Sequence, residues 1–227
     1  MNDERTLRAI PGRLENERIE TCYGNGFWAE EFAFELIAKH AATRPDALAV
    51  VDGDRRVTWA ELNLLITRLS LHLSARGIST GDVVALQLPN WLEYLVCYHA
   101  IQGLGAVVVQ PGADWRAVEL EYALGVGPAK ALIIPASFAD HDFQAMAHTL
   151  RAKTPTLEHV FVVRGEARED FTSLDELLAD PIEERTDPTC LAPLRPSADD
   201  IIRVVFTSGT TGLPKPIIKA FKSAISN

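Results

Sequence analysis

The sequence is poor in cysteine and contains no long apolar run. Only 3 cysteines occur among 227 residues, Cys22, Cys97 and Cys190, and none of them forms a C-x-x-C pair. A sparse, odd set of this kind is typical of free thiols in a reducing compartment rather than of a disulfide framework. No apolar run approaches the roughly 20 residues of a membrane-spanning helix, and the charged start "MNDERTLRAI" lacks the apolar core of a secretory signal. The sequence therefore predicts a cytoplasmic protein without a membrane span.

Positive charge is also scarce. The 22 Lys and Arg residues are outnumbered by 31 Asp and Glu residues, which gives a formal net charge of −9. This balance argues against a broad, non-specific surface for nucleic acid, because phosphate backbones attract basic proteins. A local cationic site remains compatible with it. Hydrophobic residues make up 47% of the chain, an ordinary share for a globular protein that buries a sizeable core.

Apolar β-rich runs alternate with helical patterns along most of the chain. The runs "DVVALQL", "AVVVQ", "KALIIP" and "EHVFVV" are apolar nearly throughout, as expected for strands that are covered on both faces. Helix-like segments separate them, which predicts an α/β fold with a mostly parallel sheet and crossover helices. Asp52-Gly53-Asp54 separates the short β-rich runs "ALAVVDG" and "RRVTW" and predicts a hairpin. Thr58-x-x-Glu61 and Ser173-x-x-Glu176 have the spacing of capping boxes at helix starts.

Composition divides the chain into four predicted parts. Residues 1–24 are predicted to form an irregular arm, residues 25–180 an α/β subdomain, and residues 181–200 a proline-rich linking loop. Residues 201–227 are predicted to hold a strand and a loop that begin a second subdomain. We interpret "IIRVVF" as the final strand and expect its edge, with the apolar run "IIKAFKSAIS", to be exposed. Such an edge favours self-association, and a homo-oligomer is therefore expected.

The segment "TSGTTGLPK" follows that strand directly. Its two glycines allow backbone conformations with positive φ and leave room for a ligand to approach the main chain. Successive backbone N–H groups in such a turn form an anion-binding nest, to which the hydroxyls add donors and the lysine adds a positive charge. These groups predict a polyphosphate-binding loop. The residues assigned to phosphate binding are Thr207, Ser208, Gly209, Thr210, Thr211, Gly212 and Lys215.

A Walker-type phosphate loop is a second interpretation of the same residues. That motif requires G-x-x-x-x-G-K-[ST], whereas here Gly212 stands three positions after Gly209 and Lys215 three positions later. The residue after the lysine is Pro216, so the hydroxyl that would bind Mg²⁺ is missing. The spacing disfavours an NTPase or kinase of that class. A non-catalytic phosphate-binding remnant is a third hypothesis.

The order T-S-G-T-T-G-x-P-K after an apolar strand resembles the phosphate-binding signature of the adenylate-forming (AMP-binding) superfamily. Residues 57–111, from "VTWAEL" to "VVVQP", resemble the same family, and the resemblance covers roughly residues 25–227. "YGNGFW" is most similar to the opening of aryl-acid AMP ligases and related CoA ligases. Two positions depart from the family pattern: Pro216 replaces the usual glycine, and Phe221 replaces a common histidine.

This resemblance implies a fold, a reaction and a set of cofactors. The fold would be the N-terminal part of an acetyl-CoA synthetase-like large domain. An acyl- or aryl-CoA ligase of this family converts a carboxylic acid and ATP with Mg²⁺ into an acyl-adenylate and pyrophosphate, and then transfers the acyl group to coenzyme A. The loop would hold the β- and γ-phosphates, with Lys215 as the catalytic residue, and no metal ligand is assigned in the chain. Because the family's other functional segments follow this loop, we expect the first part of a longer enzyme, inactive alone.

Overall fold

The computed structural model describes residues 21, 24–25, 31–197, 200–207 and 214–220 of the chain. Its strands are β1 (Leu48–Asp52), β2 (Arg55–Thr58), β3 (Val83–Leu86), β4 (Val107–Val109), β5 (Ala129–Pro135), β6 (Ser137–Phe138), β7 (His141–Asp142), β8 (His159–Val163), β9 (Thr172–Ser173), β10 (Ile201–Thr207) and β11 (Lys215–Ala220). Its α-helices are α1 (Ala33–Thr43), α2 (Trp59–Ala75), α3 (Leu92–Gly103), α4 (Ala117–Gly125), α5 (Phe143–Arg151) and α6 (Leu174–Ala179). Two 3₁₀ helices follow α6, at Ile182–Glu184 and Pro188–Leu194.

One sheet of seven strands organises the fold, in the order β11-β10-β4-β3-β5-β8-β9. Every neighbouring pair from β10 to β9 is parallel, and β10 pairs with β11 in antiparallel orientation. The predicted α/β fold with a mostly parallel sheet is confirmed. The hairpin predicted at Asp52-Gly53-Asp54 is the β1–β2 pair, and Gly53 adopts a φ of 59° in its turn.

Helices cover both faces of this sheet. In β3, Val84 and Leu86 pack on the side of α2 and α3, whereas Val83 and Ala85 pack on the side of α4 and α5. All four side chains are buried. Alternate residues of one strand therefore enter two different cores, which explains why the strand sequences are apolar without a period of two. Among the described residues, no helix combines the length and apolarity needed to cross a membrane.

Both predicted capping boxes mark helix starts. The Thr58 hydroxyl accepts a hydrogen bond from the Glu61 backbone N–H at 3.3 Å, and the Glu61 carboxylate accepts one from the Thr58 N–H at 2.8 Å. Ser173 accepts from the Glu176 N–H at 3.2 Å at the start of α6. These contacts satisfy backbone donors that a helix terminus leaves unpaired.

Replacing Thr58 with alanine is expected to lower the free energy of unfolding by about 1 kcal/mol, because the cap of α2 is lost. Chemical denaturation would measure the change. A matched control is Thr149→Ala, since Thr149 is exposed within α5 and caps no helix. We expect the control to change stability by less than about 0.5 kcal/mol. Equal losses in the two variants would contradict the role assigned to the cap.

The end of the described chain differs from the sequence prediction. "IIRVVF" does form a strand, β10, but it is not the final one, because Lys215–Ala220 forms β11 alongside it. β10 therefore has a partner on each side, β4 and β11. The prediction that its edge is exposed was wrong. Ile217 of β11 is exposed, so self-association through this side of the sheet stays a prediction.

The predicted linking loop, residues 181–200, packs against α2 through its two 3₁₀ helices. Its first 3₁₀ helix contains Glu183, whose carboxylate accepts hydrogen bonds from Arg68 Nε at 3.0 and 3.1 Å. Arg68 also donates to the Leu178 carbonyl at 2.7 Å. Both partners of this ion pair are largely buried. The division of the chain into four parts stays a prediction.

Candidate functional site

The carboxyl ends of β3, β4 and β10 lie side by side at one edge of the sheet. β4 pairs in parallel with both neighbours, and the backbone N–H of Gln110, just after β4, donates to the Val204 carbonyl of β10 at 2.9 Å. In open α/β sheets, ligands bind beside the carboxyl ends of the strands. A binding site is therefore expected at this edge.

A cavity of about 410 Å³ opens at the carboxyl ends of β3 and β4. Its walls combine apolar and aromatic side chains with a few amide and hydroxyl groups, a mixture typical of small-molecule sites. The lining residues are Leu88, Pro89, Asn90, Tyr94, Gln110, Pro111, Ala113 and Phe138.

A charge network around the buried Glu93 supports one wall of the cavity. Phe138 meets the Trp91 ring edge-on at 5.9 Å, and the Arg164 guanidinium lies 4.1 Å from the Trp91 ring centre. Arg164 is paired with Asp52 and with the buried Glu93, whose carboxylate lies 2.8 Å away. The first backbone N–H of α3 donates to Asp52 at 3.0 Å and, ahead of Arg164, lowers the pKa of that carboxyl. The start of α3 is thereby fixed next to the cavity.

The two ends of the predicted phosphate loop meet at the same edge of the sheet. Thr207 is the last residue of β10 and Lys215 is the first residue of β11, and the two residues lie opposite each other in the antiparallel pair. The Thr207 hydroxyl donates to the Lys215 carbonyl at 3.5 Å, and both residues are exposed. The structure thus gives the loop a β-hairpin base. The other predicted loop residues, Ser208, Gly209, Thr210, Thr211 and Gly212, lie outside the described residues.

Pro216, the first departure from the family pattern, lies within β11 opposite Phe206. A proline has no backbone N–H to donate, but β11 is an edge strand, where such a residue is tolerated. The backbone N–H that Pro216 lacks would therefore belong to β11, at the position directly after Lys215. Phe221, the second departure, lies outside the described residues.

The polar residues beside the cavity were not predicted from the sequence. Gln110 donates through its side-chain amide to the Tyr94 hydroxyl, and burial raises the pKa of Tyr94. The Gln87 amide donates to the carbonyls of Gly112 and Trp115 at 2.9 and 3.0 Å. One signal was available, since each glutamine follows directly after an apolar strand. A polar residue in that position lies at the carboxyl edge of a parallel sheet.

The fold and this edge together define the class of protein. It is a three-layered α/β protein in which a cavity and the hairpin base of a glycine-rich loop occupy neighbouring strand ends. The chain belongs to the AMP-binding enzyme family, because the model of that family matches residues 37–227.

Curated relatives of this chain are adenylate-forming ligases. The 2,3-dihydroxybenzoate-AMP ligase of Bacillus subtilis is 32% identical over 89% of this chain and 35% of its own length. The salicyl-AMP ligase / salicyl-S-ArCP synthetase of Mycobacterium tuberculosis is 32% identical over 93% of this chain and 37% of its own length. The medium-chain fatty-acid–CoA ligase of Escherichia coli is 30% identical over 93% of this chain and 37% of its own length. The chain thus spans about a third of the length of the relatives it matches.

Solved structures agree with this assignment. The apo structure of Mycobacterium smegmatis MbtA superposes with a TM-score of 0.84 at 30% identity, over 98% of this chain and 40% of that one. The anthranilate CoA ligase AuaEII, solved with anthranoyl-AMP, gives a TM-score of 0.70 at 23% identity, over 86% of this chain and 35% of that one. The second likeness concerns the fold alone.

Proposed function

We propose that this chain is part of an ATP-dependent carboxylate–CoA ligase. The enzyme forms an acyl-adenylate from a carboxylic acid and ATP with Mg²⁺, and then an acyl-CoA thioester. One observation carries the proposal. Thr207 and Lys215, the two ends of "TSGTTGLPK", pair across an antiparallel hairpin at the carboxyl edge of the α/β sheet, in a chain that matches the AMP-binding enzyme family. These two residues lie at the same edge of the sheet as the cavity, and ligands bind at such an edge in open α/β sheets.

The proposed role of the loop is to bind the phosphates that leave. When a carboxylate attacks the α-phosphorus of ATP, the bond to the β-phosphate oxygen breaks and negative charge grows on pyrophosphate. Thr207 would turn its hydroxyl from the Lys215 carbonyl to donate a hydrogen bond to this group, and the exposed Lys215 ammonium would offset its charge. Stabilisation of developing charge by fixed donors is a large part of phosphoryl-transfer catalysis.

Mg²⁺ enters this proposal together with ATP, as the ion that partly neutralises its phosphates. The described residues contain no group of three His, Cys, Asp or Glu side chains placed to hold a metal. The protein groups that we assign to the triphosphate are Thr207 and Lys215 with the segment between them.

The acid is proposed to be an aryl acid or a fatty acid. Two of the relatives above are named for 2,3-dihydroxybenzoate and salicylate, and a third is named for medium-chain fatty acids. Coenzyme A is the proposed acceptor of the acyl group, because the third relative is named as a CoA ligase.

Exchange of labelled pyrophosphate into ATP tests the proposal. The enzyme that contains this chain would be assayed with a panel of benzoates, hydroxybenzoates and fatty acids of increasing length. We expect exchange that depends on at least one of these acids, followed by thioester formation when coenzyme A is added. Exchange that no carboxylic acid stimulates would contradict the proposed function.

A further inference from the structure

A second cavity lies between α1, α2, α3 and the 3₁₀ helix Pro188–Leu194. Its volume is about 300 Å³, and it shares no described lining residue with the cavity at the carboxyl edge of the sheet. Both cavities contact α3. Tyr94, in the first turn of this helix, lines the first cavity, whereas His99 and Gly103, nearer its end, line the second. The second cavity is therefore a separate place on the molecule.

An imidazole without a described partner lines this second cavity. His99 is 7% exposed, and its buried Nδ1 has no hydrogen-bond partner among the described residues. Ser70, the other buried polar side chain of the lining, differs in this respect, because its hydroxyl donates to the Ile66 carbonyl at 2.8 Å. Buried polar side chains in folded proteins are nearly always paired. The imidazole of His99 thus lacks a partner that a molecule in the cavity can supply.

The charges at this cavity are already balanced. The Arg195 guanidinium donates to the Glu35 carboxylate at 3.1 Å. Burial lowers the pKa of His99 to about 4, so its imidazole is uncharged at neutral pH. The described lining contains no further acidic or basic side chain. Because a charge is costly to remove from water without an opposite charge, the cavity favours an uncharged molecule.

The size and lining of the cavity narrow the class of molecule further. An apolar cavity of roughly 150 Å³ holds a benzene ring, so a volume of about 300 Å³ leaves room for a substituted ring. Phe34, Ile66 and Leu191 offer apolar contacts to such a ring. A hydroxyl group both donates and accepts, and it can therefore pair with either neutral tautomer of His99.

We propose that this cavity binds a small uncharged phenol. Its ring packs against Phe34, Ile66 and Leu191, and its hydroxyl forms a hydrogen bond with the imidazole of His99. The site does not depend on the proposed function, because it uses none of the groups assigned there to ATP.

Titration calorimetry of the 227-residue chain with phenol, toluene and benzoate at neutral pH tests the proposal. We expect one phenol per chain to bind, about fivefold more tightly than toluene, because phenol gains one hydrogen bond. Benzoate should bind more weakly than phenol, since Arg195 is already paired with Glu35. His99→Phe keeps an apolar wall but removes the hydrogen bond, so this variant should bind phenol and toluene equally.

Two glycine variants test the location of the site. Gly103 lines the cavity, and a Cβ added there would meet no atom within 4 Å. Gly103→Leu should therefore fill the cavity without strain and abolish phenol binding. Gly125→Leu is the matched control, because Gly125 also ends a helix, α4, in equally open surroundings but does not line the cavity. We expect wild-type phenol binding in the control and similar melting temperatures in the two variants.

Four results would overturn the proposal. Three of them are a wild-type chain that binds no phenol, phenol binding that Gly103→Leu leaves unchanged, and equal binding of phenol and toluene by the wild type. The fourth is tighter binding of benzoate than of phenol, which would indicate an anion site at Arg195. If Gly103→Leu melts at a lower temperature than Gly125→Leu, the comparison of phenol with toluene in the wild type and in His99→Phe decides instead.

Discussion

Replacing Lys215 with alanine is expected to slow adenylate formation by about 10²- to 10³-fold, the usual cost of removing one group that stabilises developing charge. In the proposed mechanism the ammonium group interacts most strongly when pyrophosphate departs, so the loss should appear mainly in kcat. Acid-dependent pyrophosphate exchange by the enzyme that contains this chain would measure it.

The same substitution should leave the fold intact. Lys215 is the exposed first residue of an edge strand, and its removal opens no cavity in either core. Lys219→Ala is the matched control, because Lys219 lies in the same strand, opposite Arg203 rather than at the loop. We expect near wild-type exchange in the control. Wild-type exchange in Lys215→Ala would remove Lys215 from the mechanism.

The 227-residue chain by itself is expected to produce no acyl-adenylate and no acyl-CoA. It spans about a third of the length of its relatives, and the resemblance places the remaining acid- and nucleotide-binding segments after the loop. Holding two reactants in the right geometry contributes about 7–11 kcal/mol to lowering a barrier. A chain that binds the phosphates without orienting the carboxylate should therefore lose at least about 10⁵-fold in rate.

Mass spectrometry of the purified chain incubated with ATP, Mg²⁺, coenzyme A and a panel of aryl and fatty acids checks this expectation. The Lys215→Ala chain sets the background. Product above that background would show that the groups needed for orientation lie within these 227 residues. The expectation that those groups follow the loop would then be wrong.

The alternation of strands and helices along the chain could be predicted from the sequence because both faces of the sheet are covered. A strand such as β3, buried on both sides, appears as an unbroken apolar run, and the helices between such runs have their own period. β11 could not be predicted in the same way. Its sequence contains Pro216 and begins with an exposed lysine, and only its position at the edge of the sheet makes a strand there acceptable.

The candidate site was predictable only where its residues are close in sequence. The nine-residue motif from Thr207 to Lys215 indicates phosphate binding by itself. The contact between Arg203 and Tyr98 joins residues 105 positions apart. It depends on β10 lying beside β4, which no local pattern encodes. Contacts that depend on which strands are neighbours in the sheet therefore could not be predicted from the sequence.

The identity of the products formed from ATP tests the central claim most directly. The claim is that the segment from Thr207 to Lys215 holds the phosphates that leave as pyrophosphate. Phosphorus NMR of the enzyme that contains this chain, supplied with ATP, Mg²⁺, coenzyme A and an accepted acid, would identify those products. We predict AMP and pyrophosphate in amounts equal to the thioester, and their loss in Lys215→Ala. ADP and inorganic phosphate, formed whether or not the acid is present, would contradict the claim.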